Sequence, residues 1–370
     1  MSLFKSQLVL RTAKLFLCLN FSTTLLSCND TNQRASLDQS SIPYQSVYEW
    51  KMITSWPKNL PALGTSPEHF AEIVDRMSNG RMKIRVYGAN ELVGGLEVFD
   101  AVSQGVAEIG HSGAYYWQGK IPATPFFSSI PFGMTSYEQD SWLKFGGGNE
   151  LWRELYAPFN LIPVRGGNSG VQMFGWFNKE INSLQDIQGL KMRIPSLGGE
   201  VFRRAGGVPV TMQVSEVFTA LQTGALDAAE FVSPYNDRSA GYHTVADYYY
   251  YPGWHEPGST LETIFNKEKF ESLPPDLQEI LMAGTEVMNQ LLLDELTARN
   301  NEALTALIDT VSTTLKQGDE VNLVGFLKLA KRKREARVGR NPKTGEQIQI
   351  PAAWVVKVSV GKLLKDIINT

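Results

Sequence analysis

Arg193 sits inside an apolar run, Leu190-Lys191-Met192-Arg193-Ile194-Pro195, where a guanidinium is costly unless it meets an anion. An arginine held there presents a rigid fork of donors that suits a carboxylate, though a structural ion pair would use it equally well. Glu230 is also set in apolar company, in Ala228-Ala229-Glu230-Phe231-Val232. Gln172 lies in Gly170-Val171-Gln172-Met173-Phe174, and Glu256 follows His255 in the aromatic stretch from Tyr251 to Gly258. Tyr115-Tyr116-Trp117 follows a glycine-rich strand end. Two glutamates and a glutamine are oxygen donors fit for a hard cation. With the arginine they describe a site for a small organic acid plus a metal ion.

Catalytic patterns find little support beside this one. His69, His111, His243 and His255 have no HExxH spacing, no CxxC accompanies them, and neither GxSxG nor a phosphate-cradling GKS or GKT is present. Gly146-Gly147-Gly148 lacks a following lysine and reads as a loop. Without a reactive thiol or a paired general acid and base, binding is the better reading than catalysis.

The elements that must position these residues are those of an α/β protein. Tyr48 to Trp56 reads as a buried strand, followed by a helix with Ser66 as cap, Pro67 in its first turn, an apolar face of Phe70, Ile73, Val74 and Met77, and Gly80 at its end. Met82 to Tyr87 alternates as a second strand. The chain then echoes itself: Glu97-Val98-Phe99-Asp100-Ala101-Val102-Ser103-Gln104-Gly105 returns 119 residues later as Glu216-Val217-Phe218-Thr219-Ala220-Leu221-Gln222-Thr223-Gly224. Each copy runs into a small apolar strand. One helix, turn and strand unit per half implies two related α/β lobes with a ligand cleft between them.

Over about residues 48 to 303 the sequence resembles the substrate-binding proteins of TRAP transporters, in particular the branch that binds 2-oxo acids, lactate and related monocarboxylates. The resemblance is carried by Trp50-Lys51-Met52, His111 to Trp117, Gly170 to Trp176, Lys191-Met192-Arg193, Ala225 to Pro234 and Tyr249 to Glu256. It implies a two-lobed periplasmic-binding-protein fold in which Arg193 pairs with the ligand carboxylate. It also implies that Gln172, Glu230 and Phe231 help to hold a cation that bridges to the ligand. Tryptophan often follows the family's glutamate, whereas Phe231 stands here. A ligand made by the backbone carbonyl tolerates that change, while a ring that shapes the pocket would alter preference.

The two ends of the chain carry different addresses. Lys5, Arg11 and Lys14 precede the apolar stretch Leu15 to Leu19, and Leu25-Leu26-Ser27-Cys28 follows, which is the pattern of a lipoprotein leader over residues 1–28 with Cys28 as the lipidated residue. Cys18 would leave with the leader, so the remaining chain has one cysteine and no disulfide framework. Residues 29–47 are polar and unpatterned at first, as a tether is. The formal charge of the whole chain is -3, but from residue 316 onward 12 Lys and Arg stand against 5 acids.

That basic end begins with a helix pattern at Leu304, Leu307, Ile308, Val311 and Leu315, stopped by Gly318. Val321 to Phe326 reads as a strand. Lys328, Lys331, Arg332, Lys333, Arg334, Arg337 and Arg340 then form a two-stranded basic arm with a turn at Arg340 to Gly345 and a returning strand at Glu346 to Ile350. Such an arm suits a DNA groove, its cations on phosphates and its tip proline wedged between base pairs. Residues from about 304 to 369 resemble the HU/IHF family of DNA-bending proteins through Val324-Gly325-Phe326, Gly339-Arg340-Asn341-Pro342-Lys343-Thr344-Gly345-Glu346 and Gly361-Lys362. The resemblance implies an α+β segment that contacts DNA through Arg337, Arg340, Asn341, Pro342 and Lys343. It departs from the family in lacking the first helix and in having Leu327-Lys328-Leu329.

The combined expectation is an exported, periplasmic or membrane-anchored solute-binding protein. Residues 48–303 capture a small carboxylate through Arg193, Gln172, Tyr115, Tyr116 and Glu256, with Na+ or Ca2+ on Gln172, Glu230, Phe231 and Glu256, and deliver it to a TRAP membrane permease. The alternative is an architectural DNA binder acting through residues 304–370. The helix pattern from Leu277 to Leu296 runs almost directly into the next one, so a continuous helix is expected across the join. Relatives can dimerise through this C-terminal helical region, which makes a homodimer a further expectation.

Overall fold

A computed structural model describes residues 46–317, 320–323, 327–340 and 347–360. The expected leader, Cys28 and most of the tether fall outside them, as do Asn341, Pro342, Lys343 and everything from residue 361. In chain order the first lobe contains β1 (Tyr48–Thr54), α1 (Ser66–Met77), β2 (Met82–Tyr87), α2 (Val98–Ser103), β3 (Ile109–Ser112), α3 (Ser136–Phe145), α4 (Gly148–Tyr156) and β4 (Leu161–Asn168). The second contains β5 (Gly175–Phe177), β6 (Lys191–Arg193), α5 (Ser196–Arg204), β7 (Val208–Val210), α6 (Val214–Gln222), β8 (Ala228–Ala229), α7 (Pro234–Ser239) and β9 (Tyr248–Tyr250). The chain then returns to the first lobe with β10 (Thr260–Asn266), α8 (Lys267–Glu271) and α9 (Pro275–Gln317).

Each lobe has a five-stranded sheet of the same design. The first runs β2-β1-β3-β10-β4 and the second β7-β6-β8-β5-β9. In both, the first three strands are mutually parallel and the fourth runs antiparallel to its neighbours on either side. The sequence echo falls at matching places, since α2 leads into β3 as α6 leads into β8. Gly105 and Gly224 close the two copies at φ of 76° and 74°, a left-handed conformation open to glycine at little cost.

Burial explains why the strands read as apolar runs. In β1, Met52 packs with Phe70, Val74 and Phe265, while its neighbour Ile53 packs with Phe99, Val102 and Trp117, because successive side chains leave a strand on opposite faces. A fully buried side chain of this size contributes about 1.5–3 kcal/mol. A third cluster joins the lobes through Trp56, Trp176, Phe231, Leu261, Leu292 and Leu296.

Two local expectations are corrected in α1. Ser66 is the first helical residue rather than the cap, and no side chain caps this end. The preceding Thr65 is already helical, at φ -90° and ψ -25°, and the Ser66 amide donates to the Ala62 carbonyl, so a turn before the helix takes up the amide. Met77 is 45% exposed, because the buried face ends at Val74. At the other end of the body, α9 is one continuous helix through Ala303.

Beyond α9, β11 (Glu320–Leu323), β12 (Leu327–Arg334) and β15 (Ala353–Val360) form a three-stranded antiparallel sheet in the order β11-β12-β15. β13 (Arg337–Arg340) and β14 (Gln347–Ile350) pair as the expected two-stranded arm. The basic run 328–334 therefore belongs to the three-stranded sheet and not to the arm. Its register against Val355, Val356 and Val358 of β15 gives it a strand partner that a free arm would lack. Arg337 and Arg340 do lie on the arm.

Candidate functional site

Four strand ends converge between the lobes, at equivalent positions of the two sheets. Trp56 follows β1 and Tyr115 and Tyr116 follow β3, while Arg193 ends β6 and Glu230 and Phe231 follow β8. The carboxyl ends of parallel strands are where α/β sheets leave room for a ligand, since the helices they feed begin there. Two segments cross between the lobes, residues 169–174 and 251–259. They run side by side: the Gln172 amide donates to the Glu256 carbonyl at 3.1 Å, and the Gly253 amide donates to the Gln172 carbonyl at 2.8 Å. Gly253 is required by this approach, because a Cβ there would stand 2.4 Å from the Gln172 oxygen.

Arg193, Glu230, Gln172, His255 and Glu256 are all buried. Arg193 Nη1 bonds the Glu230 side chain and, at 3.1 Å, the Glu230 carbonyl, while its Nη2 donates to the Tyr116 hydroxyl at 3.0 Å. Parallel pairing of β6 and β8 sets this up, with the Glu230 amide donating to the Arg193 carbonyl at 3.0 Å. Burial opposes the guanidinium charge, but Glu230 and the nearby tyrosines hold Arg193 above its ordinary pKa. His255 Nε2 lies 3.3 Å from the other Glu230 oxygen.

Gln172 Nε2 donates to Glu256 Oε2 at 2.7 Å and to Ser169 Oγ at 3.0 Å, while Gln172 Oε1 is buried without a hydrogen-bond partner among the described residues. Burial, with repulsion from Glu230, raises the Glu256 carboxyl to about 7. Glu230, His255 and Glu256 each offer a ligand atom, all within 4.8 Å of one another. The orphaned glutamine oxygen and two carboxylates fit a hard cation such as Na+ or Ca2+, which prefers oxygen. In that donor set the imidazole of His255 serves better as a partner that orients Glu230 than as a ligand.

Beside this cluster is a narrow space lined by Trp56, Tyr115, Tyr116, Arg193, Phe231 and Leu261 among others. Arg193 and Gln172 face an otherwise largely apolar and aromatic wall, the composition of a small-ligand pocket with a few orienting polar groups. Tyr115 and Tyr116 stack edge to face at 4.7 Å, and Tyr116 lies 6.1 Å from Trp56. Trp56 is itself pinned, its Nε1 donating to His111 Nδ1 at 3.0 Å while His111 Nε2 donates to the Gly166 carbonyl at 3.0 Å. Burial lowers His111 to about 4, which keeps it neutral in that chain of bonds. Asp237 positions the other wall, accepting from the Val232 amide at 3.2 Å, from Trp176 Nε1 at 3.2 Å and from the Tyr249 hydroxyl at 2.7 Å.

The structure thus brings together the expected Arg193, Gln172, Tyr115, Tyr116, Glu230, Phe231 and Glu256. Sequence reasoning missed Trp56, Leu261, Ser169 and the Glu230 contact of His255. Only the strand-end position of Trp56 and the adjacency of His255 to Glu256 were signals for them. Of the expected DNA-contacting residues, Arg337 is exposed on β13 and Arg340 ends that strand.

Residues 52–330 match the family described as bacterial extracellular solute-binding protein, family 7. A monocarboxylate 2-oxoacid-binding periplasmic protein of Nostoc sp. is 45% identical over 287 residues, which is 78% of this chain and 77% of that protein. Among solved structures, a TRAP periplasmic solute-binding protein from Pseudoalteromonas atlantica with bound sodium and pyruvate has a TM-score of 0.69 at 42% identity, covering 71% of this chain and 79% of that one. One from Colwellia psychrerythraea with bound calcium and pyruvate has a TM-score of 0.69 at 40% identity, covering 71% and 80%. A shorter part of the chain matches DNA-binding protein HU-beta of Escherichia coli, 50% identical over 72 residues, or 20% of this chain and 80% of that protein. DNA-binding protein HU 1 of Bacillus subtilis is 42% identical over 87 residues, or 23% of this chain and 95% of that protein. An 87-residue match is longer than the stretch from 304 to 370, so it reaches back into α9, where it overlaps the family 7 match. The chain belongs to family 7 of the bacterial extracellular solute-binding proteins and carries, joined through α9, a segment of the HU family of DNA-binding proteins.

Proposed function

We propose that residues 48–303 capture a short 2-oxo or 2-hydroxy monocarboxylate between the lobes, outside the cytoplasm, and deliver it to a TRAP membrane permease. The observation that carries this reading is the buried cluster of Arg193, Gln172, Glu230 and Glu256 beside a narrow space walled by Trp56, Tyr115, Tyr116 and Phe231. Pyruvate in two relatives, with sodium in one and calcium in the other, supports both the ligand class and the cation. Gln172, Glu230 and Glu256 side-chain oxygens, with the Phe231 carbonyl, would hold Na+ or Ca2+, which supplies positive charge between the glutamates and the ligand carboxylate. Arg193 presents its fork to that carboxylate, and Tyr116 orients the fork. Trp56, Phe231 and Leu261 exclude water and bound the size of the acid.

Because the site takes residues from both lobes and both crossings, a bound acid holds the lobes together, and their separation releases it. The test is thermal unfolding with a panel of 2-oxo and 2-hydroxy acids in the presence and absence of Na+ or Ca2+. A cation-dependent rise in Tm supports the reading, and an unchanged Tm across the panel refutes it. Among the described residues no helix is long and apolar enough to cross a membrane. Lipidation of Cys28 is the proposed anchor, and Cys28→Ser should move the protein from the membrane fraction to the soluble exported fraction.

A second reading, DNA binding by the C-terminal segment, is favoured by the identity to HU proteins and by the cation-rich strands β12 and β13. Electrophoretic shift of nicked duplex across a salt series tests it. No shift at low salt, where phosphate contacts are strongest, would dispose of it.

A further inference from the structure

Asp237 lies in α7 with 0% of its surface exposed, and its carboxylate is met by three neutral donors. One oxygen accepts from the Val232 amide at 3.2 Å, and the other accepts from Trp176 Nε1 at 3.2 Å and the Tyr249 hydroxyl at 2.7 Å. A buried carboxylate met only by neutral donors is costly to keep, and packing alone does not call for one. The three donors stand on the three segments that carry the oxygen donors of the site. Trp176 follows the crossing that holds Gln172, Tyr249 precedes the crossing that holds Glu256, and Val232 comes directly after Glu230 and Phe231. Trp176 and Tyr249 are register partners on β5 and β9 and stack at 4.1 Å, so one carboxylate oxygen grips the pair while the other grips the amide.

The Val232 amide and the Phe231 carbonyl belong to one peptide unit. A trans peptide is planar, with its N–H and C=O on opposite sides, so holding the amide turns the carbonyl away from Asp237 and fixes its direction. Val232 is held at its other end too, where its carbonyl accepts from the amide of Met173, the residue after Gln172, at 2.9 Å. An acceptor on the amide also draws negative charge onto the carbonyl of the same peptide, which makes that oxygen a better ligand for a hard cation. We propose that Asp237 is a positioning residue for the cation, which sets the affinity for Na+ or Ca2+ by holding the Phe231–Val232 peptide and the roots of both crossings, without touching cation or acid. The inference rests on the cation-dependent reading of this site and adds to it a residue outside the pocket wall.

The test is Asp237→Asn in the full chain, which keeps the side-chain shape but leaves one acceptor oxygen for donors on two sides. Ca2+ and Na+ are titrated at fixed pyruvate, and pyruvate is titrated by calorimetry at saturating cation. The half-saturating cation concentration should rise about tenfold or more, while pyruvate affinity at saturating cation stays within about threefold of the parent. A purely structural residue would not produce that split. If the variant folds and needs no more cation than the parent, Asp237 does not position the cation and the reading of the site stands. If pyruvate affinity at saturating cation falls as far as the cation affinity, the effect is a general loosening and the proposal is overturned. Should Asp237→Asn fail to fold, Tyr249→Phe decides, since it keeps the ring on Trp176 and removes one donor; an unchanged cation requirement there also overturns the proposal. If the parent binds no pyruvate with either cation, the reading of the site and this inference fall together.

Discussion

Replacing Arg193 separates its structural from its ligand-holding role. Its side chain is 3% exposed and that of Glu230 1%, so the two form a buried ion pair. Arg193→Ala strands Glu230, with His255 Nε2 at 3.3 Å, and removes the donor to Tyr116. Breaking a buried pair from one side costs about 3–5 kcal/mol, which for a body of this size lowers Tm by roughly 10 °C without ligand. Loss of binding in that variant would therefore mix two effects. Arg193→Lys keeps a charge beside Glu230 but loses the planar fork, so it should unfold close to the parent. Its affinity for pyruvate should fall by about 2–3 kcal/mol, roughly 30- to 150-fold. Thermal unfolding reads the first quantity and calorimetric titration in saturating Na+ or Ca2+ reads the second. An Arg193→Lys protein that binds pyruvate within about threefold of the parent would refute the assignment of the carboxylate to this fork.

Other outcomes follow from the same geometry. Gln172→Ala removes the orphaned Oε1 and the donor to Glu256, and should raise the cation concentration needed for ligand binding by about tenfold or more, measured by titrating the cation at fixed pyruvate. Gly253→Ala would put a Cβ 2.4 Å from the Gln172 carbonyl and force the crossings apart, so both Tm and pyruvate affinity should fall; a parental Tm would show that the crossings yield easily. Burial raises Asp237, Glu256 and Glu262 to about 7. Groups raised from 3.8 and 4.5 contribute stability that is fully present below those values and is lost as pH rises through about 7. Stability without ligand should therefore decline between about pH 4 and 7. Glu262→Gln should remove roughly 3 kcal/mol of that decline, read from denaturant unfolding at several pH values.

Sequence and structure agree most where chemistry and period coincide. Arg193 and Glu230 were legible because a charge inside an apolar strand needs a partner, and here each has the other. The echo of α2 in α6 exposed the repeated lobe design before any strand pairing was known. Trp56 and Leu261 were not legible as site residues, since a large apolar side chain in a strand looks the same whether it faces a core or a cavity. The cap of α1 was misread because Ser66 is a good cap by type, yet the turn before it had already taken up its amide. The basic run in β12 read as an arm because charge masks strand period, and its pairing with β15 depends on residues far along the chain, from Ala353 to Ser359. The join within α9 was legible as two helix patterns in succession, and the single helix of 43 residues follows from the lack of any break between them.

The most direct test of the central claim is calorimetric titration of pyruvate into the full chain, with Na+ or Ca2+ and again with both removed. The account predicts saturable one-to-one binding that requires a cation. Absence of heat with either cation, for pyruvate and for the wider panel of 2-oxo and 2-hydroxy acids, would contradict it.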